Sequence, residues 1–232
     1  FCDRLHRLGV NVLGIGDVPY DELNDQLKNS LTEYYYVDSL EEYDQVYRAA
    51  AFFIHKYGRI DWLESLNEYW LPADARLRTD FNIAVGTRED GIGKLVKKSY
   101  MKKVFLEAGI PTARQHIVTD LKAGRQFAAT VGYPVIVKPD IGVGANGAMK
   151  LETEDDLVSF YDELPSVPYV MEEFLSGDIC TYDAVIGQDC EPLFESMCTY
   201  APVLDSVQND ENVHFYTTPD VPERLLELGR KT

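Results

Sequence analysis

Short apolar runs alternate with amphipathic helical stretches along the first eighty residues, and this order constrains the fold more than any other property of the chain. After a helix tail marked by Phe1, Leu5 and Leu8 and closed by Gly9, the run VNVLGIG (10–16) predicts a strand. A helix follows near 20–30, then a strand in EYYYVD (33–38), a long helix over 39–58, a strand in IDWLES (60–65) and a last helix within 67–80. Strands separated by helices imply a parallel sheet with helices on its faces, a Rossmann-like α/β domain. Such a unit normally opens on a strand, so its first strand is expected upstream of Phe1. The polar segment Gly86 to Gly93 predicts the boundary, giving a first domain over 1–93.

Beyond that boundary the pattern changes. Helices are expected over 94–108, 120–131 and 153–163, with strands in RQHIV (114–118), PVIVK (134–138) and AMKLE (148–152). The strand PYVMEEF (168–174) leads through Gly177 to ICTYDAVI and LFESMCTY, which flank the turn-rich GQDCEP and predict an antiparallel hairpin. A final helix starts near Asp220 or Pro222. The fold class is therefore α/β followed by α+β.

Composition narrows the partners. The formal charge is −17 with the basic residues scattered, which argues against a nucleic-acid polymer as partner. No apolar run approaches the roughly 20 residues that cross a bilayer, and the opening FCDRLHRLG does not read as a signal peptide, so no membrane partner and a cytoplasmic location are expected. Cys2, Cys180, Cys190 and Cys198 show no CxxC pair and no zinc-ligand spacing; reduced thiols are expected, with a Cys180–Cys198 bridge kept open because both fall on paired strands.

Three segments carry chemistry. In YPVIVKPDIGVGANG (133–147) strand alternation puts Lys138 on the face of Ile136, where a buried ammonium favours an anionic partner. Gly142, Gly144 and Gly147 just beyond remove side-chain bulk, so backbone N–H groups can approach phosphate oxygens. In KLVKKSYMKKVFLEAGIPTAR (94–114) Lys98 and Lys102 share one helix face, and Gly109-Ile110-Pro111 marks the helix stop. In YVMEEFLSGD (169–178) a strand carries Glu172 and Glu173. Each has an ordinary alternative: a surface lysine before a turn, a solvated basic face, and a solvated glutamate pair. GIGD (14–17) lacks the third glycine of a dinucleotide fingerprint, and Asp17 would repel a pyrophosphate.

In this order and spacing the three segments resemble the ATP-grasp superfamily, in its carbamoyl-phosphate-synthase-like and biotin-carboxylase-like branch, from about Lys94 to the chain end. The resemblance implies a Rossmann-like pre-ATP-grasp domain followed by an incomplete ATP-grasp domain, with subdomains over 94–168 and 169–232. It implies that ATP is bound by Lys98 (or Lys97 if the register slips), Lys138, the loop of Gly142, Gly144 and Gly147, the hinge Glu172 and Glu173, and the backbone N–H of Leu175. Where the family commonly places a ribose glutamate this chain has Ile179 and Cys180, leaving Asp178 or Asp183 as substitutes. The family's magnesium ligands, a glutamate and a later Glu-x-Asn pair, have no counterpart here; Mg2+ ligands are expected outside the chain, which is expected to be inactive alone.

No catalytic residue and no metal ligand is assigned. The implied activity is that of a ligase that activates a small-molecule carboxylate as an acylphosphate for an amine. A kinase-like phosphoryl transfer and a non-catalytic nucleotide-binding module are the alternatives. Glu64, Asn67, Glu68, Arg76 and Arg78 are candidates for acceptor contact, as is His214 for a phosphate or substrate. Oligomeric state is open.

Overall fold

The computed structural model describes residues 1–142, 146–187, 189–200, 212 and 214–232. It divides into two compact units, Phe1–Ile92 and Gly93–Thr232. No described helix is long and apolar enough to cross a membrane.

In the first unit α1 (Cys2–Arg7) precedes β1 (Leu13–Gly16), α2 (Asp25–Ser30), β2 (Glu33–Tyr36), α3 (Tyr43–Tyr57) and α4 (Leu71–Asp80). β1 and β2 pair in parallel, Leu13 opposite Glu33 and Gly16 opposite Tyr36, with α2 as the crossover. α3 buries Ala49, Ala50 and Phe53, and Tyr35 of β2 meets both Phe52 and Phe53 edge-on or tilted. Helix α3 stops at Gly58, whose φ of 86° suits a residue without Cβ. The glycines of GIGD have a packing reason: a Cβ on Gly14 or Gly16 would run into the Tyr34 ring, whose hydroxyl donates to Val18 O at 2.6 Å.

Two expectations fail in this unit. IDWLES forms no strand. Its polar groups are taken by α4 instead: Leu63 O accepts from Arg78 Nε and Nη2 at 3.0 and 2.8 Å, while Ser65 N and Oγ both donate to Asp74 at 2.8 Å. Arg78 also donates to Thr87 O at 3.0 Å and pairs with Glu64 at 2.9 Å, so a buried guanidinium closes this corner with side-chain bonds in place of a sheet ladder. The segment 86–93 is also not all loop, since α5 (Glu89–Val96) begins inside it.

In the second unit the helix expected over 94–108 is broken at Lys97 between α5 and α6 (Lys98–Glu107). Then come β3 (Gln115–Ile117), α7 (Leu121–Val131), β4 (Val135–Pro139), β5 (Met149–Leu151), α8 (Glu154–Asp162) and β6 (Tyr169–Glu173). The strands form one antiparallel sheet in the order β3-β6-β4-β5. Alternate residues Val135, Val137, Leu151, Tyr169 and Met171 pack with Ala128 of α7 and Leu157 and Phe160 of α8 into one core. Asp120 caps α7 by accepting from Ala123 N, and Thr153 with Asp156 forms a capping box on α8.

β7 (Ile179–Ile186) and β8 (Pro192–Tyr200) make the expected hairpin, and β9 (Phe215–Thr218) adds a third antiparallel strand that the sequence did not suggest. Cys180 lies opposite Thr199 and Cys198 opposite Thr181. The two cysteines therefore point to opposite faces, and all four thiols are free. The last helix, α9 (Glu223–Gly229), contacts β7 with Gly229 against the Tyr182 ring, a spot that a Cβ would occupy. Arg230 donates to both oxygens of Glu195 at 2.8 and 2.6 Å, and Tyr182 donates to the same carboxylate at 2.6 Å. Arg230 first and Tyr182 second bring the Glu195 carboxyl down to about 2.

Candidate functional site

One face of the β3-β6-β4-β5 sheet packs against α7 and α8; the other carries Gln115, Lys138 and Glu172 and is reached by Lys102 of α6. Glu172 lies opposite both Gln115 and Ile136, so these share a face with Lys138, two residues beyond Ile136 on β4. The alternation that buries Val135 and Val137 thus delivers Lys138 to the free face.

Glu172 is 7% exposed, and both of its oxygens are engaged. Oε2 takes Lys138 Nζ at 2.8 Å; Oε1 takes Lys102 Nζ at 2.9 Å and Gln115 Nε2 at 3.2 Å. Burial works to raise the Glu172 carboxyl, but the hydrogen bonds and charges of Lys138 and Lys102 outweigh it and hold it below the ordinary glutamate value. Burial pushes the Lys102 ammonium down, with Glu172 as the main opposing influence. Glu173 turns to the other side. It accepts from Arg114 N at 2.7 Å and from the Arg114 side chain at 2.6 Å, and backbone hydrogen bonding from Arg114 is the foremost cause that lowers its carboxyl. The two glutamates are not a solvated pair, because each ends a ladder where a cation from another element arrives.

The glycine loop is tied at both described ends. At its start Asp140 accepts from Ser99 N at 2.8 Å and Ser99 Oγ at 2.9 Å, and Asp140 O accepts from Lys98 N at 2.9 Å. Lys97, the residue before α6, makes no side-chain cap, so Asp140 supplies the cap from across the fold. This brings Lys98 to the loop, where its Nζ donates to Gly142 O at 2.8 Å. At the far end Tyr169 Oη donates to Gly147 O at 3.0 Å. Gly147 has φ 72°, and a Cβ there would meet Tyr169 Oη at 2.8 Å and Pro139 Cγ at 3.1 Å, so only glycine fits. Gly144 lies outside the described residues.

Past β6, Leu175 is exposed, and its N–H has no partner among the described residues. Asp178 and Asp183 are both exposed, and Asp183 accepts from Thr181 Oγ1 at 2.9 Å. Lys138 and Glu172 thus meet on one sheet face, Lys98 meets Gly142 at the start of the loop that follows β4, and Gly147 at its far end meets Tyr169 of the core face. Glu173 and Leu175 mark the strand end beside them.

Four of the other candidates have structural partners. Asn67 accepts from Tyr69 N at 2.9 Å, Arg76 lies 3.7 Å over the Tyr43 ring, and Arg78 and Glu64 bind each other. His214 is exposed beside Phe215 and Tyr216. Reading from sequence missed Lys102 as a second ligand of Glu172 and Arg114 as the partner of Glu173. The four-residue spacing from Lys98 to Lys102 was visible, but the partner each would meet, Gly142 O and Glu172, was not.

The fold and the site segments have counterparts among known proteins. The fold is similar to that of the biotin carboxylase domain of Hydrogenobacter thermophilus 2-oxoglutarate carboxylase, which matches over 96% of this chain and 61% of that one with a TM-score of 0.69 at 16% identity. A biotin carboxylase from Campylobacter jejuni gives a TM-score of 0.69 at 18% identity over 99% of this chain and 55% of that one. Residues 97–166 match the family model described as the carbamoyl-phosphate synthase L chain ATP-binding domain. The carbamoyl phosphate synthase large chain of Clostridium botulinum (strain Alaska E43 / Type E3) is 34% identical over 85 residues, 36% of this chain and 8% of that protein. These likenesses support the ATP-grasp, carbamoyl-phosphate-synthase-like and biotin-carboxylase-like branch for residues 97–166, and the match spans under a tenth of that relative's length.

Proposed function

We propose that residues 93–232 bind ATP as the nucleotide-binding part of a ligase that activates a carboxylate as an acylphosphate for attack by an amine. The observation that carries this reading is the charge on the free sheet face. Two ammonium groups share one buried carboxylate beside a glycine turn that is anchored through Asp140 and Tyr169. Such a site carries net positive charge in a chain of formal charge −17. Phosphoryl transfer asks a protein mainly to position the phosphates and neutralise their charge. Lys138 and Lys98 would contact the phosphates, the glycine turn would close over them, and the Leu175 N–H would meet the purine edge.

The related structures support the ligand class. The Hydrogenobacter domain was solved with MgADP, ADP and bicarbonate, and the Campylobacter biotin carboxylase with a β,γ-ATP complex. Among the described residues no group of three or more His, Cys, Asp or Glu could hold a metal ion. These residues do not fit a magnesium site, and no step is assigned to the metal here. The Rossmann-like character of the first unit, and a role for it beside the nucleotide domain, belong to the same proposal.

Calorimetry with ATP and magnesium on the chain and on Lys138→Ala tests the reading. A loss of about 1 kcal/mol or more on substitution, the size of a lost charge-assisted hydrogen bond, is expected. Equal affinities would remove Lys138 from the site. A non-catalytic nucleotide-binding module is the second reading, favoured by Ile179 and Cys180 at the ribose-glutamate positions. ADP formation by the full-length protein that requires an amine would rule it out.

A further inference from the structure

Glu172 holds two lysines, and the two are not equivalent. Lys102 reaches it from α6, is 16% exposed, and spends a second hydrogen bond on Ala113 O at 3.0 Å. Lys138 reaches it from β4, is 27% exposed, and has Glu172 as its one ion pair among the described residues. An ammonium has three N–H donors, so Lys138 keeps two for another acceptor, whereas Lys102 is enclosed by the turn that follows its own helix. Gln115 completes the set by donating to the oxygen that Lys102 uses, at 3.2 Å. The cluster of two cations and one anion has net charge +1, and its more open end is Lys138.

We infer that Lys102 is a positioning residue for the nucleotide site. By occupying one oxygen of Glu172 it balances that carboxylate, so that the charge of Lys138 is available to a phosphate. This rests on the reading of the site as nucleotide-binding. Without Lys102 the single buried carboxylate would be matched by Lys138 alone. The site would be neutral, and the pull of a phosphate on Lys138 would have to compete with a buried ion pair in a poorly solvated place. A plain staple between α6 and β6 would not have this effect, because it would add stability without selecting for phosphate.

The discriminating quantity is the ratio of ATP affinity to adenosine affinity, which isolates what the phosphates contribute. Both would be measured by calorimetry on the whole chain for the native protein, Lys102→Met, Lys102→Arg and the double variant Lys102→Met/Glu172→Gln. Lys102→Met is expected to lower the ratio about tenfold, the factor that corresponds to about 1.4 kcal/mol. Lys102→Arg keeps the charge, and the double variant restores the net +1, so both are expected within about threefold of the native ratio. Circular dichroism would establish that each variant is folded.

An unchanged ratio in folded Lys102→Met overturns the inference, and so does a double variant that stays as low as Lys102→Met. Should Lys102→Met not fold, Lys102→Gln, which can still donate to Glu172 but carries no charge, is read in its place: a tenfold loss supports the role and a native ratio overturns it. A native chain that binds adenosine and ATP equally, or neither, defeats the nucleotide reading itself. Native binding with an indifferent Lys102 defeats only this inference.

Discussion

A carboxylate as enclosed as Glu172 is tolerated because its neighbours supply charge. It is 7% exposed, and Lys138, Lys102 and Gln115 fill its coordination. Its folded carboxyl lies below the usual value, so the unfolded chain binds the extra proton first as pH falls. Its stabilising contribution is therefore complete above the unfolded glutamate value of about 4.3 and lost as pH drops through that value to the lower folded one. Urea unfolding between pH 7 and pH 3 should show stability falling in that window, with a shallower fall in Glu172→Gln. Parallel curves for the two proteins would show that the pair contributes nothing. Gly147 belongs to the same scale: its left-handed backbone and the nearby Tyr169 hydroxyl leave no room for another residue.

Helix α6 makes its point at the level of elements. It starts without a cap of its own, and Asp140, forty-one residues on, accepts from Ser99 N and Oγ. The same contact holds Lys98 near Gly142. Asp140→Ala should destabilise the protein by about 1 kcal/mol, as loss of an N-cap does, and weaken ATP binding as well. Denaturant unfolding and calorimetry on one variant read the two effects separately. A stability loss with unchanged affinity would reduce Asp140 to a cap. α9 is held differently, by the bidentate Arg230–Glu195 pair and by Gly229 fitting under Tyr182.

At the scale of the molecule each unit has its own core. Ala49, Ala50, Phe53, Ala75 and Leu77 are buried in Phe1–Ile92, and Val135, Val137, Leu157 and Met171 in Gly93–Thr232. Trp62 and Trp70 are the chain's two tryptophans, and both lie in the first unit. Met171→Ala should cost about 2–5 kcal/mol through lost burial and the cavity left behind. The midpoint followed by circular dichroism should therefore fall further than the one followed by tryptophan fluorescence. Equal shifts would show that the two cores melt as one.

The amino-acid sequence by itself determined what is local and periodic. Strand alternation in PVIVK placed Lys138 on the face opposite Val135 and Val137, turn residues in GQDCEP announced the hairpin, and Gly9 and Gly109 marked helix ends. The order of the lysine, glycine and glutamate segments pointed to the ATP-grasp branch. Only the tertiary structure decided what depends on groups far apart in sequence. IDWLES gives its backbone to Arg78 and Asp74 instead of a ladder, β9 joins the hairpin, and Cys180 and Cys198 fall on opposite faces by a one-residue register. The decisive case is Glu172. Period and spacing show which way a residue points along its own element, but not that Lys102, seventy positions earlier, turns toward the same carboxylate as Lys138. That meeting is set by packing across the sheet.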